Sequence, residues 1–102
     1  MRTLRFIVDG QIIRMDPSCD FSGLVPGTRG YLQAEFTFSK EWAGCRKAAV
    51  FSRYETEYPA SIISSRCEIP EDILKNKSFN VSVVGEKSGY RIITNKVEVS
   101  QE

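Results

Sequence analysis

The side chains of this chain that could do chemistry are three thiols, four phenols, 13 carboxylates and 14 Lys or Arg, with no histidine among 102 residues. Without imidazole, the commonest general base and the commonest metal ligand at neutral pH are missing. Cys19, Cys45 and Cys67 stand far apart, so no C-x-x-C pair forms a zinc hook, and no histidine is present to activate any of them as a nucleophile. A glycosidase needs two carboxylates held across a cleft, one with a raised pKa. Glu35 with Glu41, and Glu71 with Asp72, lack the apolar setting for that, and Glu71-Asp72 after Pro70 reads as the charge order of a helix start. Neither a phosphate-cradling glycine loop nor a G-x-S-x-G elbow occurs. The expectation is a protein that is no enzyme and needs no cofactor or metal.

Recognition chemistry is left to aromatic and apolar side chains. Trp42, the only tryptophan, lies in a short connector, where it either closes one end of the fold or stands out as an anchor for a partner; closure is the preferred reading. Tyr31, Tyr54, Tyr58 and Tyr90 fall at loops or strand ends, and Phe21 and Leu24 lie in a long loop. The candidate partner-contacting residues are therefore Trp42, Tyr54, Tyr58, Phe21 and Leu24. Three is an odd number of cysteines: free thiols in a reducing cytosol are the simpler reading, one disulfide plus a free thiol the alternative.

The elements that must position these residues are extended. Leu4, Phe6 and Val8 alternate with polar neighbours up to Asp9-Gly10, which predicts a type I′ hairpin over residues 3–15. Residues 16–30 are dense in turn formers, Pro26-Gly27 included. They read as a long ordered loop, either a crossover between two sheets or a place where binding happens. Tyr31 to Phe38 sets Leu32, Ala34, Phe36 and Phe38 on one face. Ser39 is placed to cap one helical turn across Lys40-Glu41-Trp42, ended by Gly44, and Arg46 to Arg53 reads as a central strand. Tyr54 to Pro59 reads as a polar turn, and residues 70–75 as one short helical turn. Phe79, Val81 and Val83 mark a further strand; in the last one, Tyr90 to Val99, the alternation breaks at Thr94-Asn95-Lys96, where a β-bulge would reset the phase. About seven short strands without a long amphipathic helix predict one all-β domain, residues 1–102, built as an antiparallel β-sandwich.

A formal net charge of +1, with no basic run longer than Lys75-Asn76-Lys77 or Arg46-Lys47, argues against nucleic acid as a partner. No apolar stretch reaches the ~18 residues of a membrane span, and the first residues lack the apolar core of a secretory signal. Synthesis in the cytoplasm is expected.

Four segments together resemble a known family. The first is Phe36-Thr37-Phe38-Ser39-Lys40-Glu41-Trp42-Ala43-Gly44 with Lys47-Ala48-Ala49-Val50-Phe51. It is followed by Cys67-Glu68-Ile69-Pro70 through Leu74, then Phe79-Asn80-Val81-Ser82-Val83-Val84-Gly85, then Arg91-Ile92-Ile93-Thr94-Asn95. In this order and spacing they are similar to small structural modules of tailed bacteriophages that infect Gram-positive bacteria. The resemblance spans residues 31–99 and implies an immunoglobulin-like sandwich that serves as a virion part. The implied role is noncovalent docking in many copies on the capsid surface, as a decoration protein or head-fibre base, through loops such as 16–30 and 54–59. A tail or baseplate subunit is the variant of this reading. The implied partners are other phage structural proteins and further copies of the chain, with a host glycan possible. A carbohydrate-binding sandwich is the competing class.

Overall fold

The computed structural model describes residues 1–102. Nine strands form: β1 (Arg2–Asp9), β2 (Ile12–Met15), β3 (Leu32–Phe38), β4 (Arg46–Arg53), β5 (Thr56–Ile62), β6 (Arg66–Glu68), β7 (Ser78–Lys87), β8 (Tyr90–Ile93) and β9 (Val97–Ser100). Two 3₁₀ turns, Lys40–Trp42 and Ile73–Lys75, are the only helical elements. One sheet runs β2-β1-β3-β6; the other runs β5-β4-β7-β8, with β9 also paired to β7. The molecule is all-β and sandwich-like, since the inner residues of both sheets join one buried cluster. Leu4, Phe6, Val8, Leu32, Ala34 and Phe36 come from the first sheet, and they meet Ala49, Phe51, Phe79, Val81 and Val83 of the second. Within each strand these residues are spaced two apart, so burial follows the two-residue period of the sequence.

The sandwich is not purely antiparallel. β1 and β3 pair in parallel from Arg2↔Leu32 to Val8↔Phe38, while every other strand pair is antiparallel. The cause is the loop 16–30, which crosses from β2 to the far side of β1 within one sheet and does not pass between sheets. A parallel neighbour requires such a long crossover.

Two of the nine strands depart from the expected outline. The turn expected over Tyr54 to Pro59 is shorter than its composition suggests: β5 starts at Thr56, and only Tyr54 and Glu55 make the bend. Pro59 is tolerated because β5 is an edge strand: Arg53↔Thr56 closes the hairpin, and alternation from that pair turns the Pro59 nitrogen away from β4. The last strand divides into β8 and β9. Between Val84↔Ile93 and Val81↔Val97, two residues of β7 oppose three, Thr94 to Lys96, which is the extra residue of a bulge. There Thr94 stays with β7: Val83 N–H donates to its Oγ1 at 2.9 Å, and its own N–H reaches Val83 O at 3.1 Å. Asn95 instead joins the other sheet, its N–H donating to Gln11 O at 3.1 Å and its Oδ1 accepting from Ile13 N–H at 2.8 Å.

Two local expectations change in detail. In the β1–β2 turn, closed by Asp9↔Ile12, only the first central residue, Gly10, has positive φ (+59°), which is the type II′ arrangement in place of type I′. Ser39 precedes the first 3₁₀ turn but makes no side-chain cap; its hydroxyl accepts from Gly10 N–H at 2.9 Å.

Candidate functional site

The two ends of the sandwich are closed differently. At the Gly10 end Trp42 is wholly buried, its indole N–H donating to Gly10 O at 2.8 Å and its ring tilted against Phe38 at 5.4 Å between centroids. It is a plug and presents no surface to a partner. At the opposite end the loop 16–30 is the closure, and Leu24 is its plug at 3% exposure, with no area left for a partner either. Its carbonyl accepts from Glu102 N–H at 2.6 Å, and Gly27 N–H donates to Leu74 O at 2.8 Å. Phe21, half-buried, packs edge-on against Phe6 at 5.5 Å, and Tyr58, half-buried, packs on the same core.

The loop is pinned along its length. Asp16 accepts from the N–H and hydroxyl of Ser18 at 2.9 and 2.8 Å, and Asp20 from those of Ser22 at 2.8 and 2.6 Å. These bonds hold both carboxyls below the usual carboxylate range, the Ser18 amide leading for Asp16 and the Ser22 hydroxyl for Asp20. The Arg2 guanidinium ties the loop to β1, donating to Asp20 O at 2.9 Å and Ser22 O at 2.7 Å.

From this pinned end apolar groups stand into solvent. Tyr54 is 86% exposed at the β4–β5 turn, with φ +56°. Its ring lies under the Arg53 guanidinium at 4.7 Å, and its hydroxyl accepts from Arg53 Nη2 at 3.0 Å. Arg53 is itself anchored on Ser78 O at 2.9 Å. Met1, Val25 and Tyr31 are also exposed there; Tyr31 O accepts from Arg2 N–H, and Val25 follows Leu24. Of the five candidates that the sequence offers, Tyr54 alone presents a free ring. Neither Val25 nor Tyr31 is among them; the sequence marks Tyr31 only as a tyrosine at a loop or strand end. Their signal lies in their setting, beside Pro26-Gly27 and Gly30, where an apolar side chain has no strand to bury it.

A groove of about 410 Å³ lies at the other end, between the last residues of β3 and the start of β4, bordered by Phe38, Lys40, Trp42, Lys47 and Ser65. Lys47 is already engaged, its Nζ donating to Cys45 O at 3.2 Å and standing 5.1 Å from the Phe38 ring centre. Ser65 belongs to the turn closed by Ile63 and Arg66, where Ser64 and Ser65 both have positive φ, +54° and +63°.

The outer faces of the sheets differ in chemistry. On the first sheet Arg5, Glu35 and Arg66 stand side by side, with Arg5 Nε 3.0 Å and Arg66 Nε 2.8 Å from the two Glu35 oxygens. The two guanidiniums, Arg66 foremost, hold the Glu35 carboxyl below its ordinary value. The outer face of the second sheet is small and uncharged over its middle, around Ala48, Val50, Ser82 and Val84. All three cysteines are free; burial pushes the Cys67 thiol up to about 12, so it stays protonated and inert at neutral pH. No Cys, Asp and Glu side chains cluster in threes that could hold a metal ion, and no helix is long and apolar enough to cross a membrane.

No family model, curated protein or solved structure matches this chain.

Proposed function

We propose that this chain is a non-enzymatic structural module of a tailed-phage particle, of the immunoglobulin-like kind that its motifs imply. It docks in many copies on the capsid surface, as a decoration protein or head-fibre base, through the end closed by Leu24. The observation that carries the docking end is the set of exposed apolar side chains, Tyr54, Val25, Tyr31 and Met1, on connectors at one end of the sandwich. Connectors pinned by Asp16, Asp20 and Arg2 lose little freedom on binding, so contact area there converts to affinity with a small ordering cost. Repetition over a particle surface makes weak single contacts sufficient.

The motif residues support the scaffold half of the reading. Phe36, Trp42, Phe51, Cys67, Ile69, Leu74, Phe79, Val81 and Val83 are buried, and Gly85 lies against Trp42. Such residues specify a fold and leave partner choice to the loops.

The test is cosedimentation of the purified chain with phage heads and with tails that lack it. Binding to heads, weakened tenfold or more by Tyr54→Ala or Val25→Asp, is expected. Binding to tails alone would move the module to the baseplate. Silence on both, with saturable binding on a glycan array, would replace the reading by carbohydrate recognition.

A further inference from the structure

The outer face of the second sheet is patterned from end to end. In register across β5, β4, β7 and β8, one row reads Ser61, Ala48, Val84, Ile93, and the next reads Pro59, Val50, Ser82. A shallow depression of about 240 Å³ over Ala48, Ser61 and Val84 marks the first row, and Ile93 beside it is 44% exposed. Charge gathers toward the two ends, apart from Lys96, which is exposed in the bulge beside Ser82 at the edge of the second row. Arg46, Glu86 and Arg91 lie toward the Gly10 end, with Arg91 Nε 3.3 Å from Glu86. Glu57 and Glu98, in register with Ser52 and Asn80, lie toward the Leu24 end. One end is therefore net basic and the other acidic, and the rows of β5, β4 and β7 between them are uncharged, with Lys96 at their β9 edge.

We propose that this face pairs with the same face of a second copy, about a two-fold axis that runs across the strands between the rows of Ala48 and Val50. The axis reverses strand direction, so the basic end of each copy covers the acidic end of the other. Arg91 meets the partner's Glu98, Arg46 lies beside the partner's Glu57, and Ala48 rests on the partner's Val50. An axis along the strands would instead set Glu57 against the partner's Glu98, a like-charge pair that disfavours that arrangement. The closed two-fold contact is self-complementary. Four strands ~4.8 Å apart and four side-chain rows ~6.8 Å apart make a face of roughly 450 Å² per copy. About 900 Å² in total is below the ~1,200 Å² of standard interfaces, so the dimer is weak and reversible. This face is separate from the docking end, and the two can be occupied together.

Sedimentation velocity of the intact chain from about 10 μM to about 1 mM tests it. The expected result is an average mass that climbs toward twice the monomer with concentration. Ala48→Glu and Ile93→Lys should each remain monomeric with an unchanged melting temperature. Arg91→Glu should weaken association tenfold or more, and Arg91→Glu with Glu98→Arg should regain most of it. A parent that stays monomeric to about 1 mM overturns the pairing, as does undiminished association in both Ala48→Glu and Ile93→Lys, or no recovery in the double exchange. Loss of particle binding in Ala48→Glu from a monomeric parent would assign the face to another protein and equally overturn it. A monomer that docks on particles through Tyr54 leaves the docking proposal standing, and a dimer that docks on nothing does the reverse.

Discussion

Replacing Gly85 by alanine tests how firmly the Trp42 plug is seated. A methyl at position 85 would lie 2.7 and 2.8 Å from Cζ3 and Cε3 of Trp42 and 3.2 Å from Cβ of Cys45. Carbon atoms pack at ~3.5–4.0 Å, so the indole would have to retreat by about 1 Å. It is held against that retreat by its 2.8 Å bond to Gly10 O and by the Phe38 ring. Overpacking of this kind costs about 1–3 kcal/mol. Relief of glycine's backbone entropy within a strand returns about 0.5–1 kcal/mol. The net expectation is a loss of about 1–2 kcal/mol, a fall in Tm of roughly 5–15 °C for a domain of this size. Thermal and urea melts followed by circular dichroism supply the number, and Trp42 emission is an independent probe because the chain has one tryptophan. Trp42→Phe should be less damaging in the Gly85→Ala background than in the parent, with a coupling of about 1 kcal/mol or more. A Gly85→Ala protein as stable as the parent, or strict additivity with Trp42→Phe, would refute the wedged plug.

Three further outcomes are expected. Ser64→Asn with Ser65→Gly places left-handed-tolerant residues at two positive-φ positions, which should raise stability by about 1 kcal/mol; an unchanged urea midpoint would count against strain at that turn. Asn95→Ala removes the acceptor of Ile13 N–H and should cost about 1–2 kcal/mol, with faster hydrogen exchange at Ile13, whereas Asn95→Asp keeps the acceptor and loses less. Glu35 has a folded pKa held below its ordinary 4.5 by Arg66 and then Arg5, so its stabilising effect is complete above pH 4.5 and disappears as pH falls through the folded value. Glu35→Gln should flatten the acid limb of the stability curve, and an acid limb identical to the parent's contradicts this.

Much of the fold was legible because burial obeys alternation. Leu4, Phe6 and Val8, Leu32, Ala34 and Phe36, and Phe79, Val81 and Val83 all turn inward, as their spacing requires. The bulge at Thr94–Lys96 was readable for the same reason, since one extra residue shifts the phase of everything after it. What alternation does not encode is which strand lies beside which. The parallel β1–β3 pair depends on the route of residues 16–30, and turn-forming composition carries no direction. Pro59 misled because a missing N–H forbids a central strand and permits an edge, and edge position is a property of the whole sheet. At the candidate site, aromatic character put Trp42 and Tyr54 among the same five candidates, although the place of Trp42 in a short connector already favoured closure. Only the third dimension separates a ring that bonds to Gly10 inside from one that lies under Arg53 outside.

The bond from Glu102 to Leu24, and those from the Gln101 side chain to Leu74 O at 3.1 Å and Asn76 O at 2.7 Å, also set an order of events during synthesis. The first hairpin is local and closes early, but β3 cannot settle beside β1 until the crossover between them has looped back. Leu24 has no lid until Gln101 and Glu102 have left the ribosome. Pairing at such long sequence separation slows folding. The end that carries Tyr54, Val25 and Tyr31 is thus the last part of the sandwich to be completed. A chain still short of Gln101 lacks the bonds to Leu74 O, Asn76 O and Leu24 O, so the arrangement of these exposed side chains becomes final only after the rest of the sandwich has been made.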